Sequence, residues 1–154
     1  MSVTTTLPVR AVRFATSYAL LRAAADVGDH WIQTDHQAVT KGQHDDNEGQ
    51  SSAAGRRACA AHVAAYTATQ AAFLLAGTRL LGIRLRPVPV AAALALSAAT
   101  HYVADRREPL RRLADASGKG NFVRLTDHGM NGAYALDQAW HHAFETAAAL
   151  IASA

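Results

Sequence analysis

Apolar residues recur at three- and four-residue steps through several long stretches of the chain, and no stretch shows the alternation of a β-strand. A step of three or four residues places side chains on one face of an α-helix, so the pattern predicts helices. The predicted helices span approximately 8–34, 56–81, 87–105, 110–116 and 133–152. We therefore expect an all-α fold, a bundle of four main helices with one short connecting helix.

A polar segment separates the first two predicted helices. Residues 41–55, KGQHDDNEGQSSAAG, contain almost no large apolar side chains, and glycine and serine recur among them. Such a composition is typical of a surface loop. We predict a flexible loop that could serve as a lid, within a single helical domain covering residues 1–154.

Composition narrows the classes of protein and site. Of the 154 residues, 50% are hydrophobic and 18% are charged, and the formal net charge is +3. This mild positive charge permits a phosphate-bearing ligand or an anionic membrane surface but requires neither. Cys59 is the only cysteine, which excludes an intrachain disulfide and a cysteine-based zinc site.

Two uncharged stretches raise the question of a membrane. Residues 58–78 and 87–104 carry no formal charge if His101 is neutral, and both approach the length of a membrane span. Alanine, threonine and serine make up much of both, and such segments insert poorly. The N-terminal residues lack the basic-then-apolar order of a secretory signal. We predict a cytoplasmic or inner-membrane-associated protein, and we favour a soluble or peripheral chain over an integral one.

Three aspartate–histidine pairs, each with a four-residue spacing, lie within the predicted helices. They are Asp26 with His30, His101 with Asp105, and Asp137 with His141. This spacing puts both side chains of a pair on one helical face, one turn apart. His62 adds an imidazole to the second helix. Each main helix thus carries metal-binding side-chain types in an otherwise apolar region, which predicts a polar His/Asp centre in the bundle interior.

Each pair taken singly has a simpler interpretation. An Asp–His pair on an exposed helix face stabilises the helix by only about 0.2–0.5 kcal/mol and implies no site. A lone histidine such as His62 is more often a hydrogen-bonded core residue. Occurrence in all four helices favours a centre, because buried carboxylates and imidazoles are costly unless they are paired or bind metal. Imidazole and carboxylate without thiolate suit one or two divalent transition-metal ions, such as zinc, manganese, iron or nickel.

A site of this kind commonly activates water for the hydrolysis of a phosphoester. Arg106 and Arg107 directly follow Asp105, and with Lys41 they are candidates to neutralise a phosphate. For these arginines, a simple basic surface near a helix junction is the stronger interpretation. The predicted substrate is a small phosphate-bearing molecule, with nucleotides and phospholipids both open.

Three short strings carry a family resemblance. They are GDHWIQTDHQ at 28–37, HYVAD at 101–105 and DQAWH at 137–141. In order and approximate spacing they resemble the GDFxLQ, HFxxD and DQxxH motifs of the bacterial domain of unknown function family 3307. The family's opening often has a histidine four residues before the first aspartate, where this chain has Ala25. The chain is also loosely similar to bacterial membrane-bound metal-dependent hydrolases.

The resemblance selects among the candidate residues, although the family has no established activity and many members look membrane-embedded. It implies a set of metal ligands made of Asp29, His62, His101, Asp105, Asp137 and His141. The candidates to complete the site or act in catalysis are Asp26, His30 and Gln33. Asp26 or His30 would take the place of the absent histidine.

Two hypotheses follow for the function. The first is a metal-dependent hydrolase that acts on a phosphoester. The second is a non-enzymatic protein in which the same residues form a buried polar network, and whose partner is a membrane, another protein or nucleic acid. Nucleic acid is the least expected partner, because the sequence has no helix-turn-helix signal. The oligomeric state is not specified by the sequence.

Overall fold

The structure is a computed structural model that describes residues 8–127 and 129–154, and these residues form helices and connecting loops without any β-strand. The helices are α1 (Val9–Val27), α2 (Asp35–Thr40), α3 (Ser52–Leu80), α4 (Pro87–Asp105), α5 (Glu108–Ala116), α6 (Gly120–Val123) and α7 (Gly132–Ala152). A short π-helix, Gly28–Ile32, directly follows α1. The prediction of an all-α fold is confirmed.

The four long helices close into a bundle. α1 packs against α3 and α7, and α4 packs against the same two helices on the other side. The apolar core at the centre is built mainly from alanine and leucine: Leu21, Leu74, Ala93, Ala148, Ala149 and Ala152. Because alanine side chains are small, the helices approach closely, and polar side chains at the level where α1 and α4 end are brought within reach of each other.

Local signals explain where several helices begin and end. Thr34 caps α2, since its hydroxyl accepts from the Gln37 amide while the Gln37 side chain accepts from the Thr34 amide. At the other end of the bundle, α3 ends at Leu80, and the chain turns away at Gly82, whose φ of +65° suits glycine. The Ile83 amide then donates to the Thr78 carbonyl at 2.8 Å, which closes the end of the helix.

Two predicted boundaries were wrong. The first helix, expected to continue to Thr34, ends at Val27 and passes into the π-helix. The loop, expected to reach 55, ends at Ser51, because the Ser51 hydroxyl caps α3 and Ser52 exchanges hydrogen bonds with Asp45. In addition, no helix was predicted at 35–40 or 120–123, where the structure has α2 and α6.

The loop before α3 is fastened to the bundle by an arginine. The Arg106 guanidinium donates to the carbonyl oxygens of Lys41 and Gln43 at 2.5 and 2.6 Å. Arg106 directly follows α4 and is 8% exposed. The loop therefore lies across the end of the bundle where α4 finishes.

By length and composition, α3 and α4 are apolar enough to cross a membrane. Within the bundle, 39% of the apolar window of α3 and 22% of that of α4 are buried. Core helices of soluble proteins satisfy the same criteria of length and composition. The choice between a soluble or peripheral chain and an integral one stays a prediction.

Candidate metal centre

Four side chains converge at one end of the bundle interior. Asp29 comes from the π-helix, His62 from α3, and His101 and Asp105 from α4. The Nε2 atoms of His62 and His101 are 3.0 Å apart. Asp29 Oδ1 lies 3.1 and 3.3 Å from these two nitrogens, and Asp105 Oδ2 lies 3.2 and 3.1 Å from them. Both histidines are essentially inaccessible to solvent, at 0% and 1% exposure.

These separations are close to those found around a metal ion. Ligand atoms about 2.0–2.1 Å from a tetrahedral zinc ion lie about 3.3–3.4 Å from one another. The separations among the imidazole and carboxylate atoms here are 3.0–3.3 Å. A small expansion of the cluster would therefore accommodate an ion.

Unpaired polar atoms at the cluster also fit a cation. Asp105 Oδ2 is buried and has no hydrogen-bond partner among the described residues, although two imidazole nitrogens lie close to it. An unpartnered buried carboxylate oxygen is costly, and an ion between the four atoms would satisfy it. The Nδ1 atoms of His62 and His101 are also buried without a partner in the described chain.

Asp137 and His141 extend the cluster from α7. His141 Nε2 lies 3.5 Å from Asp137 Oδ2, and the His141 ring centroid is 4.4 Å from that of His101. The ligand atoms of Asp105, Asp137 and His141 all lie within 4.8 Å of one another, as do those of Asp29, His101 and His141. The six residues thus form three overlapping ligand sets, and His101, Asp105 and His141 each belong to two of them.

The electrostatics of the cluster bring opposite charges together. Burial disfavours charge on His101, but the attraction of the nearby Asp105 and Asp29 carboxylates outweighs it and raises the pKa of His101 to about 9. Burial likewise opposes ionisation of Asp29, yet its hydrogen bonds with His101 and His62 hold the pKa of Asp29 well below its usual range. The carboxylates are therefore ionised at neutral pH, and a metal ion and a proton would compete for the same imidazole nitrogens.

A cleft of about 640 Å³ opens beside these side chains. Asp29, Asp105, Asp137 and His141 line its wall next to Lys41. The Lys41 ammonium donates to Gln33 Oε1 at 2.5 Å and lies 2.8 Å from Asp105 Oδ1. The cleft thus joins the candidate ligands to a fixed cation and to space for a small molecule.

The π-helix explains how Asp29 reaches the cluster. The Gln33 amide donates to the Gly28 carbonyl, five residues back, so this turn is wider than an α-helical one. Gly28 is buried against Tyr66 of α3, and a Cβ atom at Gly28 would lie 2.8 Å from Tyr66 Cδ2. The absence of a side chain at Gly28 therefore lets the π-helix approach α3, which brings Asp29 to His62.

The structure brings all six predicted ligands together: Asp29, His62, His101, Asp105, Asp137 and His141. Of the three predicted catalytic residues, His30 and Gln33 line the cleft. Asp26 does not line it; the Asp26 carboxylate is 55% exposed and pairs with Arg22. Asp26 is therefore not placed where it could replace the histidine absent at Ala25.

The predicted phosphate-neutralising residues have different surroundings. Arg106 lines the cleft, but its guanidinium is engaged by the loop carbonyls. Arg107 also lines it and donates to the Ala38 carbonyl at 3.2 Å. Lys41 is the cation placed directly against a candidate ligand.

A buried polar cluster lies beside the ligands and was not predicted from the sequence. Its members are Arg22, Tyr66, Gln70, Ser97 and Glu145. A signal for it was present, because Tyr66, Ser97 and Glu145 each stand four residues from a predicted ligand in an apolar helix. The predicted pairs were aspartate–histidine pairs, and these three positions carry tyrosine, serine and glutamate.

No family model, curated protein or solved structure was found to match the chain. The resemblance to domain of unknown function family 3307 stays a prediction. The geometry of the site is therefore the guide to the function of the chain.

Proposed function

We propose that this protein is a divalent-metal-dependent hydrolase that acts on a small phosphoester. The observation that carries the proposal is the convergence of two imidazole nitrogens and two carboxylate oxygens at 3.0–3.3 Å beside an open cleft. Mixed imidazole and carboxylate ligands suit zinc, manganese, iron or nickel. The overlapping ligand sets support one or two ions.

A bound ion would supply a water molecule activated for attack on phosphorus. Asp29, His62, His101 and Asp105 would hold this ion, and Asp137 with His141 would hold a second one or orient the water. The Lys41 ammonium, which already lies against Asp105, would face a phosphoryl oxygen in the cleft. His30 and Gln33 line the same cleft and are the remaining candidates to contact the substrate.

Charge balance supports a phosphate-bearing substrate. Asp29, Asp105 and Asp137 are the carboxylates nearest to the imidazoles. Two divalent ions together with Lys41 would more than offset these three charges and leave the cleft positive. A positive, partly enclosed cleft attracts and orients an anionic phosphoester.

Elemental analysis of protein purified without an affinity tag tests the proposal. We expect close to stoichiometric transition metal in the wild type and its loss in the double variant His101→Ala/Asp137→Ala. His142→Ala is the matched control, because His142 is an exposed histidine next to His141 and does not line the cleft. Hydrolysis of p-nitrophenyl phosphate should be abolished by a chelator and restored by the metal. A wild-type protein that is metal-free yet fully helical and stable would refute the proposal.

One observation favours the non-enzymatic alternative. Burial opposes charge on His101, yet the pKa of His101 is raised, so its imidazole is protonated at neutral pH. This imidazolium and the Lys41 ammonium then balance the charges of Asp29 and Asp105 without any ion. The cluster would then be a buried polar network between helices. Under this alternative, chelation leaves the unfolding transition unchanged and added metal produces no phosphoesterase activity.

A further inference from the structure

A second polar layer lies one helical turn from the candidate ligands. Its members, which we call the lower layer, are Arg22, Tyr66, Gln70, Ser97 and Glu145. Residues four apart share a helical face, and three members have this relation to a ligand: Tyr66 to His62, Ser97 to His101, and Glu145 to His141. All four main helices contribute to the lower layer.

Hydrogen bonds connect the lower layer from end to end. Arg22 Nη1 donates to the two carboxylate oxygens of Glu145 at 2.8 and 2.7 Å. The Tyr66 hydroxyl donates to Glu145 at 3.2 Å and accepts from Gln70 Nε2 at 3.1 Å. The Ser97 hydroxyl in turn donates to Gln70 Oε1 at 2.8 Å. The Tyr66 hydroxyl is thus held from two sides, and the tyrosine is 1% exposed.

The held tyrosine lies directly on a candidate ligand. The Tyr66 ring stacks on the His101 ring, with centroids 3.8 Å apart and planes inclined by 28°. Gly28 packs closely against another part of the Tyr66 ring. Metal-binding histidines usually donate their second ring N–H to a carboxylate or carbonyl, which fixes the ring plane. His101 Nδ1 has no such partner in the described chain. The rings of Tyr66 and His141 pack on His101, and Tyr66 makes the closer contact, with centroids 3.8 Å apart against 4.4 Å.

We propose that Tyr66 is the positioning residue of the metal centre and that the lower layer fixes the His101 ring plane through it. This proposal rests on the proposed metal-binding function. Burying a charged pair such as Arg22 and Glu145 does not by itself stabilise a fold relative to apolar packing. If the lower layer orients a metal ligand, the buried pair has a role other than stabilising the fold.

The test is cobalt binding by the intact chain, because the visible absorption of Co²⁺ reports ligand geometry directly. We expect Tyr66→Leu to weaken Co²⁺ affinity by about 10–100-fold, the usual effect of losing a group that orients a ligand, and to shift the absorption bands. Tyr66→Phe keeps the ring but loses both hydrogen bonds to the lower layer, so it should shift the bands in the same direction by less, with a smaller loss of affinity. Affinity is measured by competition with a chromophoric chelator.

Leu74→Ala is the control for a general loss of stability. Leu74 lies in the apolar core and on the same helix as Tyr66, twelve residues or about 18 Å beyond His62, so this variant should be destabilised with unchanged affinity and spectrum. If Tyr66→Leu does not fold, Gln70→Leu removes the donor to the Tyr66 hydroxyl and should shift the bands in the same direction. Tyr66 variants that match the wild type in affinity and spectrum would overturn the positioning role. A wild type that binds neither Co²⁺ nor Zn²⁺ would instead refute the proposed function.

Discussion

Replacing Arg22 with methionine would leave the buried Glu145 carboxylate without its ion-pair partner. Both carboxylate oxygens of Glu145 accept from Arg22, and the exposed fractions of the two side chains are 2% for Glu145 and 22% for Arg22. Removing one partner of a buried ion pair costs about 3–5 kcal/mol. Glu145 would keep its hydrogen bond from Tyr66, and Arg22 is partly exposed. We therefore expect Arg22→Met to lower the free energy of unfolding by about 3 kcal/mol, at the lower end of that range.

Asp26 provides a matched control. It also pairs with Arg22, but its side chain is 55% exposed, so Asp26→Asn should cost less than about 1 kcal/mol. The double variant Arg22→Met/Glu145→Leu removes both charges and should recover much of the loss caused by Arg22→Met alone.

The loss should also depend on pH. Burial raises the pKa of Glu145, although the contacts with Arg22 act in the opposite direction. The folded state therefore binds the Glu145 proton more readily than the unfolded state. The contribution of Glu145 to stability falls as the pH rises from its unfolded-state pKa through its higher folded-state pKa. Without Arg22 the pKa of Glu145 rises further. The cost of the substitution is therefore largest near neutral pH, and it becomes smaller as the pH falls toward the ordinary glutamate pKa of about 4.3.

Urea unfolding followed by circular dichroism at pH 5 and pH 7.5 measures these effects, with the m-value as a check on two-state behaviour. A loss below about 1 kcal/mol at pH 7.5, where the pair should matter most, would refute the reasoning. An equal loss at both pH values would show that Glu145 is not the group left uncompensated.

Two further outcomes follow from packing and burial. Gly28→Ala would place a methyl group 2.8 Å from Tyr66 Cδ2, so it should cost about 1–3 kcal/mol in urea unfolding and weaken Co²⁺ binding. Gly49→Ala, at a φ of +71° with open space around it, should cost only about 1–2 kcal/mol and leave binding unchanged; equal effects on binding would contradict the account of the π-helix. Cys59 is buried, and burial raises the pKa of its thiol to about 12. A disulfide reagent at pH 8 should therefore modify it far faster in urea than in the native protein, and rapid native labelling would count against its placement.

The helical pattern and part of the site could be predicted because α-helical geometry is regular. His101 and Asp105 do share a face, with Nε2 and Oδ2 3.1 Å apart, and Asp137 and His141 are separated by 3.5 Å. The same rule failed for Asp26 and His30. The π-helix begins between them and changes the rotation per residue, so that Asp26 points to Arg22 while His30 lines the cleft.

The remaining features depend on contacts between distant segments. That Asp29 reaches His62 follows from the close packing of Gly28 on Tyr66, which spacing along one helix does not encode. The pairing of Arg22 with Glu145 joins residues 123 positions apart. Sequence spacing can place each of these residues on a face, but only the packing of the four helices decides which faces meet.

The fastening of the loop by Arg106 has a mechanical consequence. Arg106 holds the backbone of Lys41, while the Lys41 ammonium lies against Asp105, the residue that immediately precedes Arg106. Backbone and side chain of one loop residue are therefore attached to two consecutive residues at the end of α4. Any movement that lifts this loop must break both attachments and withdraw a positive charge from the centre. Access to the cleft and the charge inside it consequently change together rather than independently.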